Sequence, residues 1–203
     1  GNKGTGTGTW TPVSSSTGGS GSGGAGGGSS SGGTTAAGSY EKKTWTSIGA
    51  DETAAVVPKK ADFPVSKVEF GVTKEVFGAW VRVESVERAE LPAEASSALT
   101  GKVNSVIEIT KNSIALKDDV LETPVISFKV AKTWLTENSV NAGNVVLMRF
   151  ADGTWNELST TLGADDGTFV HFTASTPGFS FFVIAEKGAA SGAVSAPDTS
   201  STP

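Results

Sequence analysis

The chain contains no cysteine, which excludes disulfides, thiolate metal sites, iron–sulfur clusters and cysteine nucleophiles. Histidine occurs once, as His171. A single imidazole cannot build a His-rich metal site, and general-base work needs an oriented partner. Alternating with Phe169 and Thr173, His171 reads as a partly buried strand residue. No run approaches the roughly 18–20 apolar residues that cross a bilayer, so no transmembrane segment is expected. Basic charge is scarce as well: the formal net charge is −5, which argues against a nucleic-acid partner, since such binding wants a basic face. No Asn-x-Ser/Thr sequon occurs, and no Gly-x-Ser-x-Gly elbow marks a serine nucleophile. The Gly-x-Gly patterns lack the strand–helix context of dinucleotide binding. The chain starts at Gly1 without a secretory leader, which reads as a processed or trimmed mature form.

What is present is uneven. Residues 1–40 carry one charged side chain, Lys3, and most of the glycine. Within them, Gly4-Thr5-Gly6-Thr7-Gly8-Thr9-Trp10-Thr11 alternates with period two. Thr5, Thr7, Thr9 and Thr11 would share one face of a strand, and the glycine face lets another backbone come close. Residues 14–33 are nearly pure Ser/Gly, the composition of a flexible spacer. Residues 41–187 read as the folded domain, about 145 residues and large enough for its own core. Residues 188–203 return to Ala/Ser/Gly/Thr/Pro as a tail.

Inside the domain, short β-rich runs fall at 43–48, 54–57, 66–72, 77–86, 103–109, 113–116, 124–130, 144–150, 154–158, 168–173 and 179–185. In 77–86, Trp80, Arg82 and Glu84 alternate with Ala79, Val81 and Val83, the pattern of a half-buried strand. Ala151-Asp152-Gly153 and Asp165-Asp166-Gly167 are hairpin turn signals. Helical turns are expected only at 132–138 and at 91–99 behind Pro92. The fold class is therefore mainly β: an antiparallel, immunoglobulin-like β-sandwich with one or two short helical turns and a Gly/Ser-rich N-terminal arm.

Thr176-Pro177-Gly178 reads as a turn, with Pro177 presetting φ and Gly178 supplying φ > 0. After it, Phe179, Phe181 and Val183 are expected on one face of the closing strand, with Phe182 and Ile184 on the other. This Pro-Gly-Phe strand resembles that of the archaeal PGF-pre-PGF domain family. The resemblance extends to Ile126-Ser127-Phe128-Lys129-Val130 followed by Lys132-Thr133-Trp134-Leu135. It takes in the hairpin of Val145-Val146-Leu147-Met148-Arg149-Phe150 and Gly153-Thr154-Trp155-Asn156-Glu157-Leu158. Thr161 and residues 169–172 lead up to the final strand, while Thr44-Trp45-Thr46-Ser47-Ile48 and Val68-Glu69-Phe70 sit where the first strands would start. Coverage is roughly residues 44–187. The resemblance implies secretion and attachment to archaeal envelope proteins, in surface-layer or adhesin settings, and no known enzymatic activity. It also gives Trp134 and Trp155 core positions. In that family a Ser/Thr/Pro stalk like 195–203 precedes a sorting helix, which is missing after Pro203. Peptidase removal and trimming explain that equally.

Asp118-Asp119, Asp152 and Asp165-Asp166 fall in expected turns. Calcium wants six to eight oxygens converging from spaced positions, and adjacent aspartates point apart, so turn chemistry is the better reading and no metal, cofactor or catalytic residue is assigned. Trp134, Trp155, Phe179 and Phe181 are expected in the core, with Pro177 and Gly178 registering the last strand.

The reading that results is a non-enzymatic extracellular structural protein, a homopolymer in a filament, sheath or lattice. Residues 4–13, through Thr5, Thr7, Thr9, Trp10, Thr11 and Val13, or else residues 34–46, would form the inter-subunit strand, added to an open edge or groove of the next subunit, with Trp10 as the anchor of the first. The alternative is a stalked adhesin or carbohydrate-binding module with an aromatic platform around Trp80. The Ser/Thr-rich ends offer sites for O-glycans.

Overall fold

Alternation places the core before any contact is considered. In β4 (Val76–Val86), Ala79, Val81 and Val83 are fully buried, while Trp80, Arg82 and Glu84 between them are half-buried. β6 (Val125–Ala131) buries Ile126, Phe128 and Val130, and β10 (Phe169–Ser175) buries Val170, Phe172 and Ala174. Each is a strand with one face turned inward. A computed structural model of the chain describes residues 38–112, 114–192 and 194–195, the last two as backbone.

The described strands form two sheets. The first has seven strands, in the order β1 (Tyr40–Ile48), β4, β5 (Val103–Lys111), β11 (Phe181–Glu186), β7 (Val145–Ala151), β8 (Thr154–Glu157) and β12 (Val194–Ser195). The second has five: β2 (Thr53–Val56), β3 (Val65–Gly71), β6, β10 and β9 (Thr160–Asp165). Every pairing is antiparallel except the short β8–β12 contact, which is parallel. The inner faces share one core, to which the first sheet gives Val81, Ile107, Leu147, Phe182 and Ile184 and the second gives Val68, Phe70, Ile126, Phe128 and Phe172. Phe128 and Phe172 are cross-strand partners with stacked rings, 5.2 Å between centroids. A register shift between Val65 and Lys67 lets Val65 and Val68 both point inward despite their odd spacing.

A second, smaller core lies on the other face of the first sheet. There Val106, Val146, Met148, Trp155, Val183 and Ala185 are covered by Leu91, Leu99 and α1 (Ala93–Ala98), and by Ala189 and Ala190. Trp155 is the largest side chain in it, and its Nε1–H donates to the Ala95 carbonyl at 2.9 Å. β11 therefore sits between two cores, which is why it is apolar on both faces. The Ala189 carbonyl accepts from the N–H groups of both Thr100 and Gly101, and Ser191 N–H donates to Ala98. The fold thus takes in residues 188–192, which composition alone assigns to the tail.

Two short helices appear where expected, α1 and α2 (Lys132–Glu137). The β7–β8 hairpin turns on Asp152 and Gly153, both with positive φ (53° and 74°), as a two-residue loop between right-twisted strands requires. Three expectations need correction. The strand expected at 113–116 is not one: residues 114–116 are turn and bend, because Leu116 drops into the main core and its N–H bonds back to the Asn112 carbonyl. Gly178 lies outside the positive-φ region; the turn is held instead by Thr176, buried, whose hydroxyl donates to the Gly178 carbonyl at 2.9 Å. Phe179 precedes the strand and packs edge-on against Phe70 in the main core, 5.9 Å between centroids, whereas Phe181 faces the second core. The two phenylalanines are half-buried, and the fully buried one is Phe182, which follows Phe181.

Candidate interaction surfaces

The inter-subunit strand read from the sequence (Thr5, Thr7, Thr9, Trp10, Thr11 and Val13) lies outside the described residues; of its alternative, 34–46, residues 40–46 belong to β1 and pair with β4 of the same chain. Of the structural residues, Trp155 is buried, Trp134 is half-buried against the main core on α2, and Pro177 is exposed beside buried Gly178. Trp134 stays short of full burial because α2 is a single surface turn, whose Leu135 takes the inward position.

The acidic turns spend their carboxylates locally. Asp165 pairs with Lys132 at 2.7 Å and accepts the Gly167 N–H, so its pKa falls below the ordinary carboxylate value, chiefly through the lysine bond. Asp166 accepts from His171 Nε2 at 2.8 Å and from the backbone N–H groups of Thr168 and Phe169. These bonds, the histidine's first, pull its pKa down to about 2. Asp118 reaches Lys111 at 3.1 Å. Among the described residues, no group of three or more His, Asp or Glu side chains converges as a metal would need.

The outer face of the first sheet, beyond the second core, carries Tyr40, Lys42, Trp80, Arg82, Glu84 and Glu108. Glu84 stands opposite Tyr40 on β1 and opposite Glu108 on β5. Burial raises the Glu108 pKa, and the Glu84 carboxylate adds to the rise, with Arg82 opposing it. Lys42 Nζ lies 4.2 Å from the Trp80 ring centroid and the Arg82 guanidinium 4.3 Å from that of Tyr40. A sugar stacking on either ring would first have to displace a cation from it. That weighs against a ready-made aromatic platform.

The sheet borders differ sharply from one another. On one side, β1 and β2 flank a cleft of about 350 Å³ lined by residues 41–44, 55–57 and Lys59. Lys43 Nζ crosses it to the Ala55 carbonyl at 2.9 Å, and Lys59 reaches Glu41 at 3.7 Å. β2 is four residues long and is followed by Val57 and Pro58. On the other side, the outer edge of β8 is taken by β12. Among the described strands β9 pairs only with β10, and five of its six residues are exposed, Leu162 at 52%. Sequence reading missed β9 because Leu162 is its one large apolar residue, so neither alternation nor an apolar run marks it. Thr160-Thr161 between the Trp155 hairpin and the Asp-Asp-Gly turn was the available signal. A third feature is a cleft of about 510 Å³ where exposed Phe77 and Ile114 meet Lys74 and Lys117.

Compared with protein-family profiles, with curated proteins and with solved structures, the chain matches none.

Proposed function

We propose that this chain is a non-enzymatic structural subunit of an archaeal cell-surface assembly, an immunoglobulin-like sandwich of the PGF-pre-PGF kind joined to identical subunits by strand addition from its N-terminal arm. The observation that carries this reading is the combination of a Thr/Gly-alternating segment at 4–13 with a two-sheet fold in which no described strand covers the outer side of β9. An extended segment pairing with such an edge gains backbone hydrogen bonds along its length. Contacts of this head-to-tail kind generate fibres when they do not close. The family assignment rests on the residues of the Pro-Gly-Phe strand and the hairpins before it. Secretion follows from that family, and O-glycans on the Ser/Thr-rich ends are compatible with it.

Deletion of residues 1–13 tests the reading. Electron microscopy of the full chain is expected to show ordered filaments or sheets, and the deletion variant to give dispersed, folded monomers. Unchanged polymers from the shortened chain would reject it.

A further inference from the structure

We infer that the acceptor for the arm is the free edge of β9, and that its occupant is residues 4–13 of a second copy of this chain. This inference rests on the strand-addition reading and assigns its receiving surface.

The borders of the two sheets are defended unequally. Sheet edges offer unpaired N–H and C=O groups, and proteins blunt them with lysines, prolines, short strands, bulges or a covering segment. β1 carries Lys42 and Lys43, the latter already bonded to β2. β2 is short and is followed closely by Pro58, and β12 covers β8. β9, Thr160-Thr161-Leu162-Gly163-Ala164-Asp165, has no Lys, Arg or Pro, and no described strand lies on its outer side. Beside the charged Asp165 at its end, its defence is a bulge: Leu162 pairs with Phe172 and Asp165 with Val170, so Gly163 and Ala164 together oppose His171. Gly163 fits there because a Cβ on it would meet the His171 carbonyl at 3.1 Å. The regular ladder on offer is therefore 160–162, continued beyond the bulge by Asp165.

Residues 4–13 suit that edge. A threonine opposite Thr160 is a favourable cross-strand partner, and the arm's glycine face, with Gly8 opposite Thr161, permits close backbone approach. In an antiparallel register with Thr7 opposite Leu162, Thr9 falls opposite Thr160 and Trp10 opposite Ser159, while Lys3, beyond the bulge, comes level with the Asp165-Asp166-Gly167 turn. The lone charged side chain of residues 1–40 then arrives at the acidic turn, and the arm's one large aromatic at the other end of β9. The cleft at Phe77 and Ile114 is of mixed character, with Lys74, Glu75 and Lys117 on its walls, and nothing in it points to an occupant.

The absence of native cysteine makes disulfide trapping direct. One chain would carry Thr5→Cys, Thr7→Cys or Thr9→Cys, and a second chain Thr161→Cys or Leu162→Cys, both exposed positions that leave the core untouched. Mixed and oxidised, they are expected to give a disulfide-linked dimer, while arm variants mixed with a Thr44→Cys chain on β1 give none. A thermal melt of each variant checks that it is folded. An independent pair of edge lysines, Thr161→Lys with Ala164→Lys, is expected to abolish polymers without lowering the melt. Cross-linking to Thr44→Cys but not to β9 would overturn the β9 assignment and leave strand addition standing. Dimers absent from every mixture, with polymers surviving the deletion of residues 1–13, would reject strand addition together with the β9 assignment. Cross-links seen only when both cysteines sit on one chain would replace the second copy with the chain's own arm, against the inference.

Discussion

Glycine at three turns and close contacts of this chain does three different jobs. At Gly153, φ is +74° within a two-residue hairpin loop, a conformation that costs an L-residue roughly 1–2 kcal/mol. Gly153→Ala is expected to lower stability by about that amount in urea titration. At Gly101 the constraint is steric, since a Cβ would stand 2.6 Å from the Ala189 Cα, and backbone there cannot move without opening the second core. Gly178 has neither constraint: its φ is ordinary, and a Cβ would meet only the end of the Arg149 side chain, at 3.6 Å. Gly178→Ala should therefore leave stability unchanged or raise it by up to about 1 kcal/mol, through the lost freedom of the unfolded chain. A large loss would show that the Pro-Gly turn needs glycine after all. Glu108 gives a second test at this scale. Its pKa is raised by burial and by Glu84, so the folded state holds that proton more tightly than the unfolded chain does. The sign follows: the contribution is favourable at low pH and is lost as pH rises through the raised pKa. Glu108→Gln is expected to raise the melting temperature near neutral pH and to leave it unchanged below about pH 3, where both states are protonated.

Among the elements, the β9–β10 hairpin is the most dependent on charge. Asp165 and Asp166 cap its turn, each accepting from backbone N–H and each bonded to a basic side chain, Lys132 or His171. Both pKa values are depressed in the folded state, Asp166 to about 2. Stability from such groups is present above the unfolded carboxylate value and is lost as pH falls toward the folded one. Amide exchange in 160–170 is thus expected to quicken between about pH 4 and pH 2, and Asp166→Asn to flatten that response. Exchange that speeds equally throughout both sheets would point to global acid unfolding instead. The same hairpin shows what the sequence made legible. Its turn was readable, because Asp-Asp-Gly has local chemistry that needs no partner. Strands β4, β6, β7 and β10 were readable as well, since burial writes apolar residues into them, by alternation or as a run. β9 has almost no buried side chain, so its identity as a strand comes wholly from pairing with β10. The faces of Phe179 and Phe181 were misassigned for a related reason: period-two counting holds only inside a strand, and β11 begins at Phe181, after the turn. The composition of 188–192 pointed to a tail, because Ala189 and Ala190 are small. Their burial depends on Gly101 and Trp155, far away in sequence.

At the scale of the whole molecule, the first sheet is the central layer, with the second sheet on one face and the α1 segment with 188–192 on part of the other. That outer layer is thin, and it is held from both ends of the sequence span it closes. Residues after Lys187 contribute Ala189 and Ala190 to the second core, the Ala189 carbonyl that accepts from Thr100 and Gly101, and the Ser191 N–H that reaches Ala98. The Gly188 N–H also donates to buried Glu157 at 2.8 Å. A backbone hydrogen bond is worth about 0.5–1.5 kcal/mol net, so the four lost on truncation after Lys187 sum to roughly 2–6 kcal/mol before the uncovered apolar surface is counted. That is a large share of the roughly 5–15 kcal/mol that holds a domain of this size. The main core shares few of these contacts and has its own two faces. Truncation after Lys187 is therefore expected to loosen the outer layer first, with faster amide exchange across 91–101 and around Trp155 while β6 and β10 stay protected. Truncation after Ser195 keeps every one of these bonds and should leave the exchange pattern of the full chain. If both truncations behave alike, the second core does not depend on the segment that covers it, and α1 alone suffices to hold Trp155 in place.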